Sequence, residues 1–113
     1  MNKTGGAGED AACVYLEKQG YKITGRNYHS RYGEIDIIAL KDGETVFCEV
    51  KTRSRIRGVK PCEYVNEIKQ KKIIKTALTY LGENADNTLM RFDVIDILYE
   101  NGTAMIKHYK NVF

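Results

Sequence analysis

The sequence predicts an α/β fold, a mixed sheet flanked by helices in the order α-β-β-β-α-β-β. Three observations carry that expectation. Asp42-Gly43 and Asn101-Gly102 each separate two strand-like apolar runs, and such dipeptides readily take the positive φ values of tight hairpins. Between the hairpins, Ile74, Ala77, Leu78 and Leu81 recur at helical spacing, marking an apolar helix face within residues 61–81. A helix of that length between two strands is a crossover, so the strands it joins are expected to be parallel.

The first helix is expected over residues 6–19, closed by Gly20 just past its last turn. "KITGRNYHS" (22–30) and "GEIDIIALK" (33–41) read as the first two strands, and "TVFCEVKTR" (45–53) returns as the third. Residues 53–61 form a basic, glycine-containing loop, and Pro61 suits the start of the second helix, which Gly82 ends. "LMRFDVIDILY" (89–99) is the fourth strand, and "TAMIKHY" (103–109) the fifth.

With 113 residues, 42% apolar and 29% charged, the chain is expected to form one globular domain over 1–113. It contains no apolar run long enough to span a bilayer. The opening "MNKTGGAGED" lacks the apolar core of a secretory signal, so a cytoplasmic protein is expected. Cys13, Cys48 and Cys62 form no C-x-x-C pair, and His29 and His108 stand in no ligand spacing, which argues against structural zinc. Cys13 and Cys48 sit among apolar residues and read as buried thiols.

The net charge of +3 is unevenly distributed. Residues 51–75 hold nine Lys and Arg against Glu63 and Glu67, a local +7 that leaves −4 for everything else. Concentrated basic charge points to an anionic partner, nucleic acid first and a membrane surface second; a merely solvated face is the plain alternative. Tyr28, Tyr32 and Tyr64 flank the basic segments, as packing or rim residues or as platforms for bases.

Charges also stand where the strands should be apolar. Asp36 is enclosed by Ile35, Ile37 and Ile38, while Glu49 and Lys51 enclose Val50. Alternation puts Glu49 and Lys51 on one face of the third strand with Thr45, Phe47 and Arg53. Counting from the 42–44 turn brings Asp36 and Glu49 to neighbouring positions on paired strands. Two adjacent carboxylates repel unless a cation joins them, and Mg²⁺ takes one or two carboxylates together with other oxygen ligands. A lysine one strand step away would orient an attacking water or meet charge developing on a phosphate. The alternative is a cross-strand ion pair on a solvent face, with Lys51 neutralising Glu49.

Two helical residues are expected to point at the same place. Glu9 precedes Ala12, Cys13 and Leu16 at helical spacing, and Gln70 lies one turn before Ile74 on the stripe of Ala77 and Leu81. Either also suits an ordinary helix start, where acidic residues favour the dipole. Arg91 and Asp93 share a face of the fourth strand and are expected to pair structurally.

Taken together, "GEDAACVYLEKQGY" (8–21), "RN" (26–27), "GEIDIIA" (33–39), "FCEVKTR" (47–53), "KQKKI" (69–73) and "RFDVIDI" (91–97) give a pattern that resembles the PD-(D/E)XK nuclease superfamily. It is most similar to the bacterial YraN-like family, related to archaeal Holliday junction resolvases. The resemblance implies a restriction-endonuclease-like α-β-β-β-α-β core and a metal-dependent endonuclease acting on structured DNA, as in repair or recombination. It makes Asp36 and Glu49, with the Val50 carbonyl, the ligands of Mg²⁺, for which Mn²⁺ would substitute. Lys51 becomes the catalytic lysine, Glu9 the acid from the first helix and Gln70 a looser helix match. The superfamily's proline before the first aspartate is replaced here by Glu34-Ile35. Arg53, Arg55, Arg57, Lys60, Lys69, Lys71 and Lys72 would hold the nucleic-acid backbone, DNA ahead of RNA, with binding that weakens steeply in salt. Resolvase chemistry on two symmetry-related strands would call for a homodimer, though the sequence shows no interface for one. The competing readings are a non-catalytic nucleic-acid-binding module with the same fold and a small protein-interaction domain.

Overall fold

Two hairpins and a crossover build the sheet in the computed structural model, which describes residues 3–53 and 66–113. The elements are α1 (Lys3–Lys18), β1 (Lys22–Ser30), β2 (Gly33–Lys41), β3 (Glu44–Arg53), α2 (Glu67–Leu81), a short 3₁₀ turn (Gly82–Asn87), β4 (Leu89–Glu100) and β5 (Thr103–Tyr109). The five strands lie in the order β1-β2-β3-β4-β5. β3 and β4 are parallel, as the crossover requires, and the other three pairs are antiparallel. The α/β class, mixed sheet and element order are those expected. Pro61 and the start proposed for the second helix lie outside the described residues, as do Arg55, Arg57, Lys60, Cys62 and Tyr64.

Both hairpin turns take the geometry their dipeptides favour. Asp42 and Gly43 have φ of 52° and 77°, and Asn101 and Gly102 have 53° and 78°, the left-handed pair that matches strand twist. A Cβ at Gly43 would meet nothing within 4 Å, so a side chain there costs conformation and not space. Gly43→Ala is therefore expected to lower stability by about 1–2 kcal/mol, read by urea unfolding. α1 ends as expected: Gly20 has φ of 92°, and the Tyr21 amide closes back on the Leu16 carbonyl at 2.9 Å.

Each helix covers one face of the sheet. Ala12, Cys13 and Leu16 of α1 pack on Ile37, Ala39, Val46, Cys48, Ile95 and Ile97. On the other face, Ile73 and Ala77 of α2 pack on Ile35, Ile38, Phe47, Phe92 and Val94. Cys13 and Cys48 are free, buried thiols. The buried stripe of α2 is rotated from the one read by spacing, because Ile73, Thr76 and Ala77 are buried while Leu78 is 43% exposed. Thr76 tolerates burial because its hydroxyl donates to the Lys72 carbonyl and bonds the Ser30 hydroxyl, both at 2.9 Å. No helix among the described residues is long and apolar enough to cross a membrane.

Asp93, deep under α1's side of the sheet, anchors a polar network. Its carboxylate accepts from Arg91 Nε at 2.9 Å and a second Arg91 nitrogen at 2.8 Å, from His108 Nε2 at 2.6 Å and from the Asn111 amide at 2.9 Å. Arg91 also donates to Glu44 and to the Tyr21 hydroxyl, and His108 Nδ1 bonds the Tyr15 hydroxyl. The expected Arg91–Asp93 pair is thus part of a larger clamp joining α1, β3, β4 and β5.

Candidate metal centre

β2 and β3 part company at the position where their carboxylates lie. Their pairing runs from Lys41–Glu44 to Ile37–Cys48, and the next step in that register is Asp36 opposite Glu49. On its other side Asp36 falls opposite Asn27, between the pairs Arg26–Ile37 and Tyr28–Ile35. Asn27 has φ of 51°, a left-handed kink that asparagine tolerates better than most residues. The irregularity switches faces within β2: Ile37 packs under α1 and Ile35 under α2. Asp36 thereby turns inward, and its Oδ2 accepts the Val50 amide at 2.8 Å.

Asp36 and Glu49 are each only 9% exposed, so although Lys51 does pair with Glu49, the pair does not lie on a solvent face as the alternative reading had it. They border a cavity of about 250 Å³, together with Gly33, Glu34, Lys69, Lys72 and Ile73. Lys51 Nζ lies 3.5 Å from Glu49 Oε2, and Lys69 Nζ pairs with the same oxygen. Glu9 reaches the region from the other face of the sheet. Gly8 permits this, since a Cβ there would overlap the Thr52 hydroxyl of β3. Glu9 is buried and faces Arg26 at 3.6 Å, while Arg26 also holds Asp10 at 2.9 Å.

The electrostatics follow from this crowding. Burial pushes the Asp36 carboxyl up, Glu49 and Glu9 push it further, and the Val50 amide opposes them; the result is about 7. Burial also lowers Lys51, helped by Lys69 beside it and resisted by Glu49. Burial works the same way on Lys69, but its pairing with Glu49 outweighs it and raises the ammonium's pKa. The raised Asp36 opposes folding. Between its unfolded value near 4 and about 7 the native state binds the proton better, so stability falls as pH rises through that window. Asp36→Asn removes the buried charge and is expected to gain about 2 kcal/mol at pH 8 and little at pH 5, measured by chemical denaturation without added metal.

The structure brings Asp36, Glu49, Val50, Lys51 and Lys69 together, with Glu9 close behind. Gln70 is half-buried on α2. Arg53 has its guanidinium forked onto buried Asp96 at 3.1 and 2.7 Å. Lys72 borders the carboxylate cavity, and Lys71 lines a second cavity beside it. The sequence reading gives Arg26 and Asn27 no site role and places Lys69 only on the phosphate backbone; the spacing of Lys69 to Ile73 and Thr76 is the signal that aims it inward. Arg26 and Asn27, the "RN" of the motif set, pair with α1 and kink β1 opposite Asp36.

The donor set suits a hard cation better than a soft one. It offers two buried carboxylates, Asp36 and Glu49, bordering one cavity. Among the described residues no three His, Cys, Asp or Glu side chains converge as a closed metal cluster. Mg²⁺ is typically bound through one or two carboxylates, with the rest of its shell left to water and phosphate.

The model of the uncharacterised protein family UPF0102 matches residues 8–97, a span that holds Glu9, Asp36, Glu49, Lys51 and Asp93. A UPF0102 protein of Bacteroides thetaiotaomicron is 41% identical over 112 residues, covering 99% of this chain and 93% of that protein. One from Syntrophomonas wolfei is 44% identical over 107 residues, 94% of this chain and 93% of its own. One from Clostridioides difficile is 46% identical over 111 residues, 96% of this chain and 95% of its own. With the match running nearly end to end, the chain belongs to the UPF0102 family, the YraN-like family its motifs resemble.

Proposed function

We propose that this protein is a divalent-metal-dependent nuclease of the PD-(D/E)XK type, hydrolysing phosphodiester bonds in structured DNA. The observation that carries the reading is the buried Asp36–Glu49 pair at the splayed end of β2 and β3, with Lys51 on the same carboxylate and lysines around the cavity. Asp36, Glu49 and the Val50 carbonyl would hold Mg²⁺ or Mn²⁺, which when bound supplies Lewis-acid neutralisation of charge on the phosphate.

The protein's own residues do the rest. Asp36 must lose its proton before it can serve as a ligand, and its pKa near 7 lets it do so close to neutrality. Lys51, with its pKa lowered, orients the attacking water through Nζ and can share its proton. Water oxygen forms the new bond to phosphorus in line with the sugar oxygen whose bond breaks; the attacking water gives up one proton to solvent, and the departing sugar oxygen takes one up. Lys69 and Lys72 hold the non-bridging oxygens of the phosphate, and Gln70 and Glu9 position what surrounds it. Among the described residues no base-reading helix for the major groove stands out, so recognition by DNA shape is the matching expectation.

A second reading has its own support. Lys69 occupies Glu49 with a protein cation, as a non-catalytic nucleic-acid-binding module would do permanently. Labelled four-way junction, flap, single-stranded and duplex DNA, and RNA, incubated with Mg²⁺, Mn²⁺ or EDTA, separate the two. The nuclease reading expects metal-dependent cutting that Asp36→Ala and Lys51→Ala each abolish. Binding without cutting on every substrate, unchanged in both variants, would establish the module instead.

A further inference from the structure

Beside the carboxylate cavity lies a second one of about 400 Å³, lined by Arg31, Tyr32, Ile68, Lys71, Lys72 and Lys75. Lys72 borders both, so the two cavities adjoin along α2. Among the described residues no carboxylate lines it, and none forms an ion pair with these four cations. The charge is therefore left for an anion. An anion alone would not need the remaining walls. Ile68 is 68% exposed, and the Tyr32 ring has Arg31 and Lys75 over it at 5.1 and 5.4 Å from its centroid, so a base stacking there displaces one of these mobile side chains and leaves it beside the base's phosphate. That ring is fixed in place. The Tyr32 amide donates to the Ser30 hydroxyl at 3.0 Å, Ser30 bonds Thr76 of α2, and Arg31 donates to the Tyr32 hydroxyl at 3.0 Å.

We infer that this cavity is a subsite for an unpaired nucleotide of the strand being cut, with the base on Tyr32 and Ile68 and its phosphates on Arg31, Lys71, Lys72 and Lys75. The inference rests on the nuclease reading for which strand it serves, and gives that site a preference. Base faces inside a duplex are already stacked, so only an unpaired nucleotide has a face free for Tyr32. A phosphate on either side of such a base meets a cation, and Lys72 passes the backbone on to the Asp36–Glu49 cavity. Substrates with a single-stranded arm at the cut, such as flaps and splayed junctions, fit both cavities at once.

The test is anisotropy of labelled oligo(dT) and of a blunt duplex, titrated with full-length protein in EDTA so that nothing is cut. Tyr32→Ala should weaken oligo(dT) binding about tenfold or more, with Tyr32→Phe close to wild type and duplex binding changed by less than about twofold. The Lys71→Ala, Lys75→Ala double variant, which alters two exposed side chains, should flatten the salt dependence on oligo(dT) by about 1.4 in logarithmic slope. Unchanged oligo(dT) binding in these variants, or equal loss on duplex, overturns the subsite; if Asp36→Ala still abolishes cutting, the nuclease reading survives without it. Tyr32-dependent binding with no cutting of any substrate upholds the subsite and defeats the nuclease reading. Absence of all oligonucleotide binding, with capture on phosphatidylserine–phosphatidylcholine vesicles, overturns both.

Discussion

Glu49→Gln and Asp36→Asn are each expected to lose about a thousandfold or more in cleavage rate while remaining folded. Each removes one of the two carboxylates proposed to hold the cation, and a metal's stabilisation of charge in the transition state is worth several kcal/mol, at about 1.4 kcal/mol per tenfold. The two variants should differ in stability, which guards against mistaking misfolding for loss of chemistry. Asp36→Asn relieves a buried charge whose pKa is pushed up to about 7. Glu49→Gln instead strips Lys51 and Lys69 of their shared partner and should be neutral or destabilising. Lys69→Ala should act the opposite way on metal, tightening cation binding, because it removes the ammonium that competes for Glu49 Oε2. Single-turnover cleavage combined with thermal unfolding reads all three.

The largest loss of stability is expected from Asp93→Ala, at about 3–5 kcal/mol. Asp93 is fully buried at the side chain and receives Arg91, His108 and the Asn111 amide, so its removal takes the shared acceptor from a buried imidazole and a buried amide and leaves the Arg91 guanidinium with only Glu44 and Tyr21. In a domain this size that cost is a large share of the whole stability and should lower Tm by roughly 15–30 °C. The same residue gives a pH signature. Burial pushes Asp93 up, but the hydrogen bonds from His108, Arg91 and Asn111 outweigh it and hold the carboxyl below its usual range. Its contribution is therefore present above about pH 4 and is lost as pH falls through the lower folded value. Asp93→Asn should flatten the acid limb of the stability curve below about pH 4, measured by urea unfolding across pH.

The turns and the register make the fold legible in the sequence. Asp42-Gly43 and Asn101-Gly102 announced two hairpins, and counting outward from the first placed Asp36 beside Glu49 within one strand step. The inward aim of Glu9 was legible too, because its stripe-mates Ala12, Cys13 and Leu16 are plainly apolar. The α2 face was not. Thr76 counts as polar in a spacing argument, yet it is buried because Lys72 and Ser30 satisfy its hydroxyl. Reading Leu78 in its place rotated the helix and hid the inward position of Lys69. Arg53 looked like one more cation for a phosphate, since nothing local signals that Asp96, 43 residues on, would take both arms of its guanidinium. The Asp93–His108 bond was out of reach for the same reason: it depends on β5 folding back beside β4 in a particular register.

The central claim is that Asp36 and Glu49 hold one divalent cation at the splayed end of the sheet. Mn²⁺ binding by wild type, Asp36→Asn and Glu49→Gln, followed by electron paramagnetic resonance at pH 6 and pH 8, tests it most directly. A proton at Asp36 competes with the cation, so wild-type affinity should fall about tenfold from pH 8 to pH 6, with binding lost in both variants. Wild type that binds no Mn²⁺, or variants that bind it as wild type does, would contradict the account.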